Sequence, residues 1–342
     1  MTRHRFVALD GLRGLAAFVV VLWHTGATRF IPGGYLAVDL FFVLSGFVLS
    51  HSFGRRAENW SSFMGARLLR LYPLYGAGAL FGAATACLFT PLDSRYWETV
   101  AANALLLPTP TSWGVYRPFP FNAPAWSLFF EILVNAVWFA VLPWLSNRWL
   151  GLIVGLFAAS ALSVIALSGS VDVGESGGWF LPLGAIRAAF SFFAGVACYR
   201  IWEARAFNVR APLPFLAALF ILTIAAPLPR DIIDVAAVLI IFPTVIYFGA
   251  SARAEGLIGR ACTSAGSASY AVYTLHAPLL VVVAVGMRTC FPLLPHADYL
   301  VAAVFIPGML LVGTLADRYF DRPLRTWTSD RIALHPQMPP QM

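Results

Sequence analysis

The chain has 342 residues, 59% hydrophobic, 15% aromatic and only 11% charged, whereas soluble domains run at about 45–50% apolar and 25% charged. That balance excludes an ordinary soluble protein, and no nucleic-acid partner is expected despite a net charge of +7. The 23 basic residues are all arginines, and they fall mostly in short stretches between apolar runs, the pattern that sets orientation in a membrane.

At about 20 apolar residues per crossing, the sequence predicts ten transmembrane helices. They cover 6–25, 34–53, 72–90, 124–144, 149–168, 180–201, 212–228, 231–249, 268–288 and 298–317. The expected fold is all-α, a polytopic helical bundle in the lipid bilayer, with one membrane domain over 1–330 and a Pro-rich cytoplasmic tail over 331–342. The opening MTRHRF is similar to the start of a signal peptide, but no small-residue cleavage site follows, so the first segment is expected to stay. With that end in the cytoplasm, 16 arginines fall inside and five outside: Arg29, Arg95, Arg117, Arg230 and Arg288. Both termini are therefore expected on the cytoplasmic side of an inner membrane. Residues 55–71, RRAENWSSFMGARLLRL, read as an amphipathic stretch along that surface. The long outer stretch 91–123 carries a short apolar run at 104–107 that is expected to dip into the bilayer. The cysteines Cys87, Cys198, Cys262 and Cys290 show no CxxC spacing and no companion histidine, so they read as small core residues and no metal is expected.

The first segment, LDGLRGLAAFVVVLWHTG, places Arg13 and His24 eleven residues apart. Eleven steps return a helix to within about 20° of its starting direction and advance it roughly 16 Å, so the two share a face, Arg13 near the inner side and His24 near the outer. Ionisable residues at membrane depth cost at least a few kcal/mol and mark function by default. The structural alternative is that Arg13 reaches the headgroups and pairs with Asp10. Arg67 and Arg70, just before Tyr72 and Pro73 and near Arg55 and Arg56, present two guanidinium groups on one face, a phosphate-binding pattern that an anionic-lipid anchor shares.

In the fourth segment, NAPAWSLFFEI, Glu131 lies about as deep as His24. It is expected to hydrogen-bond the imidazole and fix its tautomer, as a general base requires. Trp126 and Ser127 stand where an approach from outside would be lined, unless they only belt and cap the helix. The second segment adds Asp39 and Ser45, with Gly46 read as a close-packing residue. The ninth, SASYAVYTLHAPL, brings Ser269, Tyr273 and His276 near one face, His276 about two turns from the cytoplasmic end, either in donor binding or as a core histidine.

Together DGLRGLAAFVVVLWH, FFVLSGFVLS, RLLRLYP, WSLFFE, SYAVYTLH and YFDRPLR resemble acyltransferase family 3, in order from residue 5 to about 325. These are integral-membrane O-acyltransferases that include bacterial O-antigen and exopolysaccharide acetylases. The resemblance implies a ten-helix enzyme that moves an acyl group, commonly acetyl, from acetyl-CoA or another acyl-CoA in the cytoplasm. The acceptor would be a hydroxyl of an extracytoplasmic or lipid-linked glycan. His24 matches the family's catalytic histidine, Arg13 the motif arginine, Arg67 and Arg70 the arginine pair, and Glu131 the acidic residue after Trp-Ser. Asp321 stands where the family pattern carries Glu before x-Pro, with the charge kept, and no appended esterase-like domain is expected. A proton-coupled glycan or lipid transporter, with His24, Asp39 and Glu131 as its relay, is the alternative.

Overall fold

The computed structural model describes residues 5–53, 59–175, 177–204, 211–290, 297–324 and 326–327. Arg55, Arg56 and the tail 331–342 lie outside the described residues. Within them all regular structure is helical. The chain runs through α1 (Val7–His24), α2 (Ala37–Phe53), α3 (Trp60–Ala86), α4 (Ser94–Ala104), α5 (Ala125–Val141), α6 (Asn147–Ser168) and α7 (Phe180–Glu203). It continues through α8 (Leu213–Ala225), α9 (Arg230–Ala236), α10 (Phe242–Gly249), α11 (Gly256–Cys290) and α12 (Ala297–Ala316). A π-turn at Ala237–Ile241 joins α9 to α10 in one run.

Among the described residues eight runs are long and apolar enough to cross a membrane, and the protein is an all-α polytopic membrane protein. Of the other two expected crossings, α8 is apolar but has 13 residues, and α3 has 27 but carries Arg67 and Arg70. Residues 60–71 of the expected interfacial stretch form the first half of α3. Asn59 starts that helix by accepting a 2.8 Å hydrogen bond from the Ser62 amide, an N-cap that the apolar count had no means of weighting. Helix α4 was not expected, and the apolar run 104–107 is the tight turn that ends it. Leu106 there has φ +56°, and the Asn103 amide bonds Leu107 O, Thr109 Oγ1 and Pro118 O at 3.0–3.2 Å.

Two parallel helix pairs form the centre, each closed by glycines. Along α1 and α11, Gly11 faces Cys262 and Gly14 faces Ala265, where a Cβ on Gly14 would stand 2.5 Å from that of Ala265. Along α2 and α7, a Cβ on Gly46 would overlap the Phe192 carbonyl, and one on Gly195 the Val43 carbonyl. Without a hydrophobic force between helices in lipid, close backbone approach of this kind supplies the packing. It also aligns the polar residues of α1 with those of α11, from Arg13 beside Ser269 to His24 beside His276.

Candidate active site

A cavity of about 380 Å³ lies among α1, α2, α3, α5 and α11. Its walls follow helical periodicity. Helix α2 contributes Val38, Phe41, Phe42, Ser45 and Val48, α5 contributes Ser127, Leu128 and Glu131, and α11 contributes Thr263, Gly266, Ser269, Tyr270 and Tyr273. Arg5, Arg13, Arg70 and Arg322 also line it, against the carboxylates Glu131 and Asp317. Arg13 is held by Ser269 Oγ at 3.1 Å, the Gly266 carbonyl at 2.5 Å and Asp10 at 3.1 Å. Arg322 is paired to Asp317 at 2.7 Å. With Arg5 and Arg70 they bring four guanidinium groups to one cleft, a pattern that suits phosphate.

A second, smaller cavity of about 20 Å³ lies at the other end of α1 and is lined by His24, Trp23, Tyr35, Val38, Trp126, Asp172, Glu175, Arg187 and Tyr273, among others. His24 Nδ1 lies 2.8 Å from the Val20 carbonyl. A carbonyl only accepts, so Nδ1 carries the proton and Nε2 keeps the lone pair that a general base uses. The 4.9 Å neighbour of the His24 ring is His276, fully buried, with Nδ1 2.7 Å from the Tyr273 carbonyl. By the same reasoning His276 Nε2 also holds a lone pair, and it has no hydrogen-bond partner among the described residues.

Several expected site residues fall elsewhere. Glu131 does not orient His24; the Val20 carbonyl does, while Glu131 accepts a 3.2 Å hydrogen bond from Ser45 and lines the arginine-rimmed cavity. Helical depth alone matched the two residues, but they face different spaces. His276 is not near the Arg13 end: α11 begins at Gly256, well before residue 268, and this places His276 beside His24. Arg70 lines the large cavity, whereas Arg67 is buried with its guanidinium 5.1 Å from the Phe53 ring centre and 5.8 Å from that of Phe63. Tyr72 donates to the Ala104 carbonyl at 2.5 Å and so fastens the end of α4. Ser127, Ser45 and Tyr273 line the large cavity, and Trp126 the small one.

Asp39 is locked into a buried ion pair with Arg187, Nη2 to Oδ2 2.7 Å and Nε to Oδ1 3.1 Å, and Ser191 donates to it at 3.3 Å. The Arg187 guanidinium in turn lies 5.2 Å from the Trp126 ring centre and 3.8 Å from Asp172. Asp234 anchors the loop that carries Asp172: it accepts from Tyr35 at 2.7 Å, Ser170 at 2.7 Å and the Val171 amide at 2.9 Å. Sequence reasoning missed Arg187, Asp172 and Glu175. An arginine inside the seventh apolar segment was a readable signal for the first; the two acids sit in a loop and gave none.

The family model of the acyltransferase domain, acyltransferase family 3, matches residues 6–320. Protein 2 in the picA locus of Rhizobium radiobacter is 40% identical over 156 residues, 39% of this chain and 81% of that protein. The exopolysaccharide production protein ExoZ of Rhizobium meliloti is 32% identical over 145 residues, 40% of this chain and 44% of ExoZ. The peptidoglycan O-acetyltransferase OatA of Listeria monocytogenes is 23% identical over 363 aligned positions, 93% of this chain and 55% of OatA. The match therefore spans about half the length of the latter two. No solved structure matches the chain. With the family model running from the start of α1 into the turn after α12, the chain belongs to acyltransferase family 3 and is a membrane O-acyltransferase.

Proposed function

We propose that the protein transfers an acetyl group from acetyl-CoA, bound in the arginine-rimmed cavity, to a hydroxyl of an extracytoplasmic or lipid-linked glycan, with His24 as general base. The observation that carries this reading is the pairing of the two spaces. A cavity rimmed by Arg5, Arg13, Arg70 and Arg322 adjoins the small chamber of His24, whose Nδ1 is committed to Val20.

The phosphates of coenzyme A pair with these arginines, and the pantetheine arm runs along α2 and α11 towards Val38 and Tyr273. At the thioester, His24 Nε2 takes the proton of the acceptor hydroxyl as its oxygen bonds to the carbonyl carbon. The tetrahedral adduct collapses with cleavage of the carbon–sulfur bond, and the departing thiolate takes the proton back from the imidazolium. A positioned base of this kind contributes about 10² to 10⁴ in rate. OatA and ExoZ, named for peptidoglycan O-acetylation and exopolysaccharide production, support a glycan acceptor.

The reading places the Arg13 end of the bundle, and both termini, in the cytoplasm of an inner membrane. It fits better than a proton-coupled transporter, because Asp39, central to such a relay, is held by Arg187. The test is the ester content of envelope and secreted glycans, by mass spectrometry, in cells expressing the wild-type chain, His24→Ala or neither. An O-acetyl increment with wild type that vanishes in equally expressed His24→Ala is expected. An increment that survives His24→Ala overturns the role of His24, and no increment on any glycan overturns the acceptor class.

A further inference from the structure

Two side chains belong to the walls of both cavities, Val38 on α2 and Tyr273 on α11. Val38 is one helical turn before Phe41, whose ring centre lies 5.5 Å from that of Tyr273, so the two helices face each other at this level. The Tyr273 hydroxyl is pinned by Ser127 Oγ at 2.5 Å and donates to the Pro124 carbonyl at 3.2 Å. Ser127 lines the large cavity and Pro124 the small one. The hydroxyl thus straddles the partition.

Beyond the partition, the His24 chamber has about 20 Å³, room for roughly one water, against about 380 Å³ behind it. On the reading that acyl transfer occurs at His24, the reacting carbonyl must come within about 3–3.5 Å of the acceptor oxygen, so it stands at the partition. The coenzyme A arm then fills the large cavity behind it, and the acyl tail points the other way, into the chamber. A methyl group takes about the space of one water; further methylenes overfill the chamber, whose walls include Val38 and the pinned Tyr273 ring.

We propose that Val38 and Tyr273, latched by Ser127, form a throat whose far side is too small for more than an acetyl tail, so that it accepts acetyl and rejects longer chains. Discrimination by pocket size is worth about 10- to 200-fold per methylene, so the throat alone is enough to make the enzyme an acetyl-selective one. This inference rests on the function proposed above.

The test uses membrane vesicles from cells expressing the full chain. They are supplied with an equimolar mixture of acetyl-, propionyl- and butyryl-CoA, and the O-acyl increments on their glycans are read by mass spectrometry. Wild type is expected to favour acetyl over butyryl by at least about tenfold. Val38→Ala, which removes two methyl groups from the throat, should raise the butyryl-to-acetyl ratio by about tenfold. Tyr273→Phe keeps the ring, loses the latch and should shift the ratio in the same direction, and it decides the matter alone if Val38→Ala fails to fold. A ratio that stays at the wild-type value in the folded variants, while wild type transfers acetyl, overturns the throat and leaves the acyl-transfer reading intact. Wild-type vesicles that transfer none of the three groups overturn that reading and the throat with it.

Discussion

Arg187 and Asp39 stand 148 residues apart in the chain and meet at 2.7 Å with both side chains sealed from solvent, 1% and 0% exposed. Removing one partner of such a pair leaves a buried charge uncompensated, at a cost of about 3–5 kcal/mol. Arg187→Met is therefore expected to abolish the folded protein, seen as loss of the monodisperse peak in detergent. Because the penalty comes from the charge left behind, the double variant Arg187→Met with Asp39→Leu should recover most of the folded yield. A double variant as poorly folded as the single one would show that the guanidinium's contacts to the Tyr35 and Val173 carbonyls matter more than the pair.

The α2–α7 interface has no room for a methyl group. Gly46→Ala places a Cβ against the Phe192 carbonyl and Gly195→Ala one against the Val43 carbonyl, backbone atoms that move only with their helices. Overpacking of this kind costs about 1–3 kcal/mol. Each substitution should lower the unfolding temperature in detergent, whereas Gly151→Ala, where a Cβ meets nothing within 4 Å, should leave it unchanged or raise it.

Gly46 is also a measure of what the sequence disclosed. A glycine beside Ser45 in an apolar helix reads as close packing, and the helices themselves follow from hydropathy, because bilayer thickness fixes their length. Arg13 and His24 were placed on one face by helical geometry alone, and they do line the two adjoining spaces. Partners across helices were not legible. Depth along the axis suggested Glu131 for His24, but depth does not fix rotation, and Glu131 turns toward Ser45. Nor did hydropathy show that α11 starts at Gly256, twelve residues before the expected segment, and runs on through ACTSAGSASY, and this moved His276 to the other end of the site. Val38 carried no signal at all, since its importance lies in being shared by two walls.

The loop over the His24 chamber predicts a pH dependence of stability. Burial pushes the Asp172 carboxyl up to about 6, with Glu175, Asp234 and Asp39 adding to the effect and Arg187 opposing it. A carboxyl raised in the folded state above its unfolded value of about 3.9 binds more protons folded than unfolded. Its contribution to stability is therefore lost as pH rises from about 4 to about 6. Asp172→Asn should stabilise the protein at pH 8 by about 1 kcal/mol, a modest figure because 38% of the side chain is open to solvent, and the gain should disappear below about pH 4. Melting curves of the two proteins at pH 4, 6 and 8 check the sign; a gain that is the same at all three would assign the effect to packing.

Arg67 and Arg70, three residues apart on α3, separate binding from stability. Arg70 lines the large cavity, while Arg67 is 9% exposed and packed on Phe53 and Phe63. A hydrogen bond to a charged group is worth about 1.5–3 kcal/mol, so Arg70→Ala should raise the KM for acetyl-CoA by about tenfold to a hundredfold with kcat much less affected. Arg67→Ala removes a buried stem and its contacts with two aromatic rings, so it should lower the unfolding temperature and the yield. The protein that does fold should keep a near-normal donor KM. Donor titrations of both variants, alongside their melting curves, decide the assignment: a donor KM raised as far by Arg67→Ala as by Arg70→Ala would return both arginines to the phosphate site.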